Sequence, residues 1–327
     1  MPETPAFADI KTAAQRIAGM VVRTPLLRSD ALDEITGARV FVKAECLQRT
    51  GSFKMRGAAN AISALSPDQR RHGVVASSSG NHAQGVAQAA RDFGIPATIV
   101  MPLDAPALKI ERTRRLGAEV VLYDRDNEDR DAIAAEHVSQ KGAAFIHPFD
   151  NPYVIAGQGT CGLEIADDLQ AMGIVPDHVI CCTGGGGLTA GVGLAVRDRF
   201  ASASMHTCEP EGFDDYRRSL EAGERLRNAR TSGTACDAIV TPMPGEISFA
   251  VASKLGMSGF AVSDAEAFGA MRFAFRELKC VVEPGGAVAL AAVLRASDEW
   301  HGRTLVCTLS GGNVDDTLFA RVLAQQS

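Results

Sequence analysis

The lysine at position 54 stands in an unusual setting for a surface lysine. It follows the turn-forming residues Thr50-Gly51-Ser52 and the aromatic Phe53, and an alanine-rich segment that favours a helix begins directly after it. A lysine amine that is removed from water in such a position can act as a covalent nucleophile or as a base. A solvated lysine at a helix N-terminus is the alternative, and residues 50–60 alone do not decide between the two.

Three segments rich in glycine, serine or asparagine follow predicted strands further along the chain. The segment ASSSGNHAQG at 76–85 offers hydroxyls and backbone N–H groups at a predicted helix start, which suits either a bound anion or a helix cap. The four glycines of CCTGGGGLTAG at 181–191 let the backbone approach an anion closely. The segment LSGGN at 309–313 places a hydroxyl before two glycines, which fits a ligand edge or a plain turn.

Together, the lysine and these segments predict one ligand that has an aldehyde, a phosphate and a ring nitrogen. Pyridoxal phosphate needs a lysine for a Schiff base, a cup for its phosphate and a partner for its ring nitrogen. A nicotinamide-dependent oxidoreductase is the rival, because Gly185-x-Gly187-x-x-Ala190 matches the dinucleotide fingerprint and Glu209 follows about twenty residues later. Its weakness is position, since this segment comes past mid-chain, after several strand–helix units.

The lysine and the three ligand-binding segments must be positioned by the secondary structure around them. In the sequence, short apolar segments alternate with longer alanine-rich segments. This β-α-β-α order predicts parallel sheets that are covered by helices on both faces, with ligands at the carboxyl ends of the strands. We predict strands at 38–45, 73–77, 97–101, 119–124, 178–182, 204–209 and 304–310. We predict helices at 55–65, 82–93, 108–117 and 188–199.

The composition is that of a globular protein, with 327 residues, 46% apolar and 22% charged, which predicts one large or two medium domains. The net charge of −6 argues against non-specific binding to nucleic acid or to anionic membranes. No membrane-spanning or secretory segment is expected from the sequence. Eight scattered cysteines without CxxC pairs exclude a recognisable zinc motif and fit a reduced, cytoplasmic compartment.

The chain resembles the threonine dehydratase/serine racemase family, which are pyridoxal-phosphate enzymes of the tryptophan synthase β fold, fold type II. The similarity runs from about Arg23 to Asn313 and rests on four motifs in the family's order and spacing. They are Ser52-Phe53-Lys54-x-Arg56-Gly57, Ser78-Ser79-Gly80-Asn81-His82, Gly184 to Leu188, and Ser310-Gly311-Gly312-Asn313. The resemblance implies a two-domain α/β fold, with a small domain at 71–148 inserted in a large cofactor-binding domain (1–70 and 149–327), and a homodimer or higher homo-oligomer.

The resemblance also implies which residues bind the cofactor. Lys54 would form the Schiff base, Phe53 would flank the ring, and Asn81 would hydrogen-bond the phenolic oxygen. The phosphate would be held by the amides of Gly184, Gly185, Gly186, Gly187 and Leu188. Ser310 would face the pyridine nitrogen, and a neutral hydroxyl at that place suits prompt β-elimination.

The loop around the substrate carboxylate is implied in the same way. It would consist of Ser78, Ser79, Asn81 and His82. Lys54 would be the base on one face of the substrate, and Ser79 could deliver a proton on the opposite face.

A divalent-cation loop of the racemase-like members is similar to EPEGFDDY at 209–216. The implied ligands are Glu209, the carbonyl of Phe213 and Asp215, and oxygen ligands of this kind suit Mg²⁺ or Ca²⁺. An acidic surface turn is the alternative.

The resemblance implies a lyase that converts a small β-hydroxy amino acid into a 2-keto acid and ammonia. Threonine, serine and 3-hydroxyaspartate are all open, because residues 236–249 depart from the pattern of the threonine enzymes. An amino-acid racemase on the same site and a non-catalytic amino-acid sensor are the alternatives within the fold. The chain stops soon after Asn313, so the C-terminal regulatory domain of many threonine dehydratases is not expected.

Overall fold

The computed structural model describes residues 4–78, 80–105, 107–124, 126–295 and 298–325. Within them, two β-sheets are surrounded by helices. The strands are β1 Leu26–Leu27, β2 Arg39–Lys43, β3 Val74–Ser77, β4 Ala97–Pro102, β5 Glu119–Tyr123, β6 Ala144–Phe145, β7 His178–Cys182, β8 Ser204–Pro210, β9 Ser258–Val262 and β10 Thr304–Thr308. The helices are α1 Phe7–Arg16, α2 Asp30–Thr36, α3 Lys54–Ala64, α4 Pro67–Arg71, α5 Asn81–Phe93, α6 Ala107–Arg115, α7 Arg130–Lys141, α8 Pro152–Ala171, α9 Gly187–Arg199, α10 Asp215–Ala222, α11 Glu246–Lys254, α12 Asp264–Glu277, α13 Pro284–Leu294 and α14 Asp316–Ala324.

The larger sheet has six strands in the order β1-β2-β10-β7-β8-β9. Its strands are parallel, except that β1 runs antiparallel to β2. Alternate side chains of β2 point to opposite faces, as a pleated strand requires. Val40 and Val42 pack in a core with α12 and α13, whereas Phe41 packs with α8 and α9. Because β2 is buried on both faces, its residues Val40 to Val42 form a continuous apolar segment in the sequence.

The smaller sheet is entirely parallel, in the order β5-β4-β3-β6, and its strands lie between residues 74 and 145. Helix α5 packs over it and also against α3, through small residues such as Ala58 and Ala83. The approach is close because Gly85 has no side chain. A Cβ there would lie 3.1 Å from the carbonyl carbon of Lys54. Helix α5 therefore presses directly on the first residue of α3.

The predicted strands and helices are confirmed, with ends that differ by one or two residues. The predicted parallel sheets are confirmed, and the structure adds β1, which pairs antiparallel with β2 at the edge of the larger sheet. The elements that were not predicted are strands β1, β6 and β9 and helices α1, α2, α4, α7, α8, α10, α11, α12, α13 and α14. No helix among the described residues has the length and apolar character to cross a membrane.

Candidate active site

Lys54 begins α3 at a junction between two distant parts of the chain. The preceding Ser52 pairs with Gly311 in an isolated β-bridge, and the amide of Phe53 donates to the carbonyl of Ser310 at 3.1 Å. The turn after β10 therefore fixes the turn before α3. This explains why the lysine and the segment at 309–313, which lie far apart in the sequence, share one site.

The side chain of Lys54 is half-buried at the start of α3. Its Nζ donates to the carbonyl of Pro148 at 2.7 Å and lies 5.1 Å from the centroid of the Phe53 ring. Desolvation lowers the pKa of this amine to about 8, because burial disfavours the ammonium form. The neutral amine, which is the nucleophilic and basic form, is therefore accessible near neutral pH.

The glycines of residues 184–187 form a cup between the end of β7 and the start of α9. Each approaches its neighbours so closely that a Cβ would collide, for example at 2.7 Å from the carbonyl oxygen of Ile239 for Gly184, and at 2.3 Å from the Phe149 ring for Gly185. Gly186 also has a left-handed φ of 90°. Among the described residues, the amides of Gly184 to Leu188 donate to no acceptor of the chain. Free amides at the N-terminus of a helix are a site for an anion such as phosphate.

The rim of this cup is held by the segment at 236–249. The amide of Gly245 donates to the carbonyl of Gly185 at 3.1 Å, and the hydroxyl of Ser248 donates to the same oxygen at 2.6 Å. Asp150 accepts from the amides of Glu246 and Ile247 at 2.9 and 2.8 Å, and so caps α11. The stretch that departs from the threonine enzymes thus lies against the phosphate cup.

Asn81 lies at the start of α5 in a network that the sequence did not reveal. Its Nδ2 donates to the Glu283 carboxylate at 2.6 Å, and its Oδ1 accepts from Asn313 at 2.8 Å. Glu283 is buried, and desolvation raises the pKa of its carboxyl to about 7. Gly311 completes the network, because a Cβ there would meet Glu283 Oε1 at 2.0 Å. Glu283 precedes a proline at the start of α13, which is only a weak sequence signal.

Ser310 and His82 both lie inside the protein. The Ser310 side chain is buried within hydrogen-bonding reach of the Cys182 thiol, and its amide donates to the carbonyl of Gly286. His82 Nε2 hydrogen-bonds the carbonyl of Ile146 at 2.8 Å. Burial, with the charge of Lys54, lowers the His82 pKa to about 3, so the imidazole is neutral. Neither residue brings a positive charge to the site.

The loop predicted around the substrate carboxylate is described only in part. The Ser78 amide donates to the carbonyl of Val100, and its hydroxyl accepts from the amide of Gly80 at 3.2 Å. Asn81 and His82 follow in the first turn of α5. Ser79 lies outside the described residues, so its predicted role stays a prediction.

The acidic segment at 209–216 is not a surface turn, because Glu209 and Asp215 are buried. Glu209 accepts from the amides of Tyr216 and Arg217 at 3.0 and 2.8 Å, at the start of α10. Asp215 accepts from Asn228, while its Oδ2 has no hydrogen-bond partner among the described residues. Burial and the facing Asp215 raise the Glu209 pKa well above its ordinary value, and burial raises that of Asp215 to about 7.

An orphaned buried carboxylate oxygen and two facing carboxylates suit a cation. Within the described part of the chain, no group of three or more His, Cys, Asp or Glu side chains is arranged to hold a metal. A metal here would therefore need the backbone carbonyl of Phe213 as a further ligand. The metal stays a prediction.

Comparisons with known proteins show the family to which the chain belongs. The family described as pyridoxal-phosphate dependent enzyme matches residues 17–311. The chain belongs to this family. An L-threo-3-hydroxyaspartate ammonia-lyase of Pseudomonas sp is 43% identical over 97% of this chain and 98% of that protein. An L-threonine ammonia-lyase of Thermotoga maritima is 42% identical over 96% of this chain and 77% of that protein. The structure of maize serine racemase is 36% identical, with a TM-score of 0.91 over 98% of this chain and 97% of that one.

These matches confirm the predicted family, the two-sheet α/β fold of the tryptophan synthase β type, and a pyridoxal-phosphate-dependent enzyme of the lyase class. The serine racemase matches the alternative that the sequence left open. The nicotinamide-dependent oxidoreductase does not agree with the family. The glycines at 184–187 that resembled a dinucleotide fingerprint form the cup beside α9 instead.

The residues of this chain fit pyridoxal phosphate. The free amides of Gly184 to Leu188 suit its phosphate, the partly desolvated amine of Lys54 suits its aldehyde, and the buried hydroxyl of Ser310 suits its ring nitrogen. Bound pyridoxal phosphate supplies an electrophilic aldehyde and a ring that delocalises negative charge.

Proposed function

We propose that the protein is an ammonia-lyase that removes the β-hydroxyl group of a small 3-hydroxy amino acid and yields a 2-keto acid and ammonia. The observation that carries this proposal is the amine of Lys54, whose pKa is lowered to about 8 by burial and whose Nζ donates to the carbonyl of Pro148 at 2.7 Å. The two ammonia-lyases that are more than 40% identical over almost the whole chain support the reaction class.

Lys54 both holds the cofactor and moves the Cα proton of the substrate at its Nζ. The carbonyl of Pro148, 2.7 Å from Nζ, orients the amine before substrate enters. The amides of Gly184 to Leu188 neutralise the phosphate. Ser310 offers the ring nitrogen a hydroxyl rather than a carboxylate, which limits the lifetime of negative charge at Cα and so favours departure of the β-hydroxyl.

The substrate carboxylate is held by Ser78, Ser79, Asn81 and His82. The amides at the start of α5 supply hydrogen-bond donors and the positive end of the helix dipole. His82 stays neutral, because its pKa is about 3, and acts as a hydrogen-bonding group rather than as a charge. Orientation of the substrate therefore depends on backbone amides and neutral side chains.

Among the three candidate substrates, we favour L-threo-3-hydroxyaspartate, followed by threonine and serine. The first relative named above supports this order. Lys109 supports it from this chain, since its amine lies 3.6 Å from Asp237 and its charge partly offsets the rise that burial causes in the pKa of Glu283. A cation beside the site suits a substrate with a second carboxylate.

The test is 2-keto-acid release by the purified protein with L- and D-isomers of the three candidates, with Lys54→Ala as the inactive control. We expect release from L-threo-3-hydroxyaspartate with the highest kcat/KM. Release from none of the amino acids, by a protein that has bound pyridoxal phosphate, would contradict the lyase proposal.

Racemisation on the same site is the second candidate, favoured by the similarity to maize serine racemase. In this reading Ser79 exchanges a proton on the face of the substrate opposite to Lys54. Ser79→Ala should then keep most 2-keto-acid production from the L-isomer and lose formation of the D-isomer. Loss of both activities with the cofactor still bound would show that this division of labour is wrong.

The remaining features of the proposal concern assembly, location and metal. The segment 71–148 forms the small domain, since the strands of the four-stranded sheet all lie within it. The protein is a homodimer or higher homo-oligomer in the cytoplasm, where its eight unpaired cysteines stay reduced. Sedimentation analysis tests the assembly.

In the same proposal, Mg²⁺ or Ca²⁺ binds at Glu209, at the backbone carbonyl of Phe213 and at Asp215. Removal of the metal with EDTA tests this site.

A further inference from the structure

Two cysteines that the proposed reaction does not use lie within hydrogen-bonding reach of each other. Cys46 lies in the short connection between β2 and α3, and Cys280 follows α12. The Cys280 thiol also donates to the carbonyl of Leu278 at 3.5 Å. Both side chains belong to the same apolar core cluster. The two thiols thus form a chain that ends on a backbone carbonyl.

The pair lies directly beneath the protein surface. The residues next to each cysteine, Leu47 and Val281, are 49% and 43% exposed. Lys279, on the other side of Cys280, has a left-handed φ of 57°, which is unusual for a residue with a side chain. This left-handed residue lies between the end of α12 and Cys280. A small oxidant therefore has only a thin layer of side chains to cross.

The hydrogen bond makes the two thiols chemically different. It lowers the pKa of the Cys280 thiol and raises that of the Cys46 thiol, because the Cys46 S–H stabilises a thiolate at Cys280. The other cysteines of the chain are buried, and burial raises their pKa values. They are Cys161, Cys181, Cys182, Cys208, Cys236 and Cys307. Thiolates react with oxidants and buried neutral thiols do not, so Cys280 is the reactive cysteine of the chain.

The pair is also in contact with the segment that shapes the active site. A Cβ at Gly312 would lie 3.3 Å from Cys46 Cβ and 2.6 Å from the carbonyl oxygen of Val281. The amide of Cys46 donates to the carbonyl of Leu309 at 2.9 Å. Gly312 therefore fits between the two cysteine-bearing segments. It follows Ser310 and Gly311 and precedes Asn313.

We propose that Cys46 and Cys280 are a peroxide-sensitive dithiol, which forms an intramolecular disulfide that switches the neighbouring active site off. The Cys280 thiolate attacks hydrogen peroxide and becomes a sulfenic acid, and the Cys46 thiol then attacks the Cys280 sulfur and releases water. Overall, two thiols lose two electrons and two protons, and one hydrogen peroxide becomes two water molecules. A thiol reductant reverses the change by exchange.

The disulfide changes the site because its sulfurs are only about 2.05 Å apart, closer than hydrogen-bonded thiols. Residues 46 and 280 must approach each other, and Gly312 between their segments must move. This motion displaces Ser310 and also Asn313, which holds Asn81 at 2.8 Å. A displacement of about 1 Å in a catalytic arrangement can lower activity by about a hundredfold. We expect a fall in kcat/KM of about tenfold to a hundredfold on oxidation.

The experiment treats the folded holoenzyme with hydrogen peroxide, blocks the remaining thiols with N-ethylmaleimide and maps tryptic peptides by mass spectrometry. Cys46 and Cys280 are the single cysteines of the tryptic peptides 44–49 and 280–295. We expect these two peptides to appear linked and two thiols of the chain to be lost. Dithiothreitol should separate the peptides and restore activity to the same extent. The mapping needs no substrate, so its result is independent of the proposed lyase reaction.

Three variants complete the test. Cys280→Ser, and Cys280→Val in case the serine variant fails to fold, should give no linked peptide and keep their activity in peroxide. Cys161→Ala, which removes a buried thiol of α8 and leaves the pair intact, should respond as the unchanged protein does. Absence of the linked peptide, linkage without loss of activity, or an equal loss in the Cys280 variants would each overturn the proposal.

Discussion

Asn81 donates a hydrogen bond of 2.6 Å to Glu283, although 202 residues separate them in the chain. The bond joins the start of α5, which packs over the four-stranded sheet, to the start of α13, which packs on the six-stranded sheet. The Oδ1 of the same side chain accepts from Asn313 Nδ2 at 2.8 Å, so both ends of the Asn81 amide are held. The buried carboxyl of Glu283 therefore sets the direction of a proposed cofactor ligand.

The Glu283→Gln substitution should remove a pH dependence of stability. Burial raises the folded-state pKa of Glu283 to about 7, whereas a glutamate in the unfolded chain titrates near 4.5. Between these values the unfolded state has released the proton and the folded state has kept it, so stability falls as pH rises. The free energy of unfolding of the original protein should fall by about 2.5 kcal/mol between pH 5 and pH 8 relative to that of Glu283→Gln.

Urea unfolding of the cofactor-free protein between pH 5 and pH 8 measures this difference. Glu277→Gln changes an exposed glutamate and is the matched control, which should follow the original protein at every pH. If the curves of Glu283→Gln and of the original protein run parallel, the carboxyl of Glu283 does not titrate as its burial indicates.

Lys54 should be the lysine that is modified when the holoenzyme is reduced with borohydride. Its amine is desolvated and has a pKa of about 8, so it reacts with an aldehyde more readily than an amine in water. Peptide mapping should place the pyridoxyl phosphate label on Lys54. Lys43 is an internal control, because this buried lysine is paired with Glu164 at 2.6 Å. A label on any lysine other than Lys54 contradicts the assignment.

Gly186→Ala should weaken both the fold and the binding of pyridoxal phosphate. A Cβ there would lie 2.2 Å from the Tyr216 ring on a backbone with a φ of 90°. Left-handed strain and overpacking together cost about 2 to 5 kcal/mol. Relief of the clash must move the amides of the phosphate cup, so the cofactor Kd should rise. Absorbance titration with pyridoxal phosphate and urea unfolding measure the two effects.

Gly223→Ala is the control for Gly186→Ala. Its φ of 73° is also left-handed, but a Cβ there would meet no heavy atom within 4 Å in the described part of the chain. It should cost only the backbone strain of about 1 to 2 kcal/mol and leave the cofactor Kd unchanged. An unchanged cofactor Kd in Gly186→Ala would mean that the amides of this cup do not hold the phosphate.

The fold was largely readable from the sequence, because its strands are buried on both faces and its helices are rich in alanine. Strands such as β3 and β7 read as short apolar segments, and glycine ends α5 in a left-handed conformation at Gly94. Strand β1 was missed because two residues carry no periodicity. Helix α13 was missed because it is apolar on every side, so it shows no amphipathic pattern.

Site residues that are neighbours in the sequence could be predicted from it. Site residues that are distant in the sequence and meet only in the folded protein could not. The glycines at 184–187 and the Lys54 turn are continuous segments with a local signature. Glu283 and Pro148 act through tertiary contacts. Pro148 contributes a backbone carbonyl, which any residue type carries, and Glu283 meets Asn81 only through the packing of α5 and α13. No spacing rule in the sequence predicts such contacts.

The acidic segment at 209–216 gives the last prediction. Glu209 and Asp215 face each other in the interior, and Asp215 Oδ2 has no hydrogen-bond partner among the described residues. A bound Mg²⁺ or Ca²⁺ would relieve this repulsion and fix the start of α10. Tyr216 in that helix lies against Gly186, so the metal should also steady the phosphate cup. At a hundredfold excess over Kd, binding stabilises a protein by about 2.7 kcal/mol.

We therefore expect EDTA to lower both the Tm and the rate of 2-keto-acid release, and added Mg²⁺, Ca²⁺ or Mn²⁺ to restore both. Glu209→Ala should abolish the response to metal. Glu211→Gln removes an equal charge from an exposed position two residues away and should keep the response, since its side chain does not face Asp215 in the interior. If EDTA changes neither quantity and the purified protein contains no metal, then Glu209 acts only as an acceptor for the amides of Tyr216 and Arg217, and the carboxyl of Asp215 is held neutral by a proton instead of by a cation.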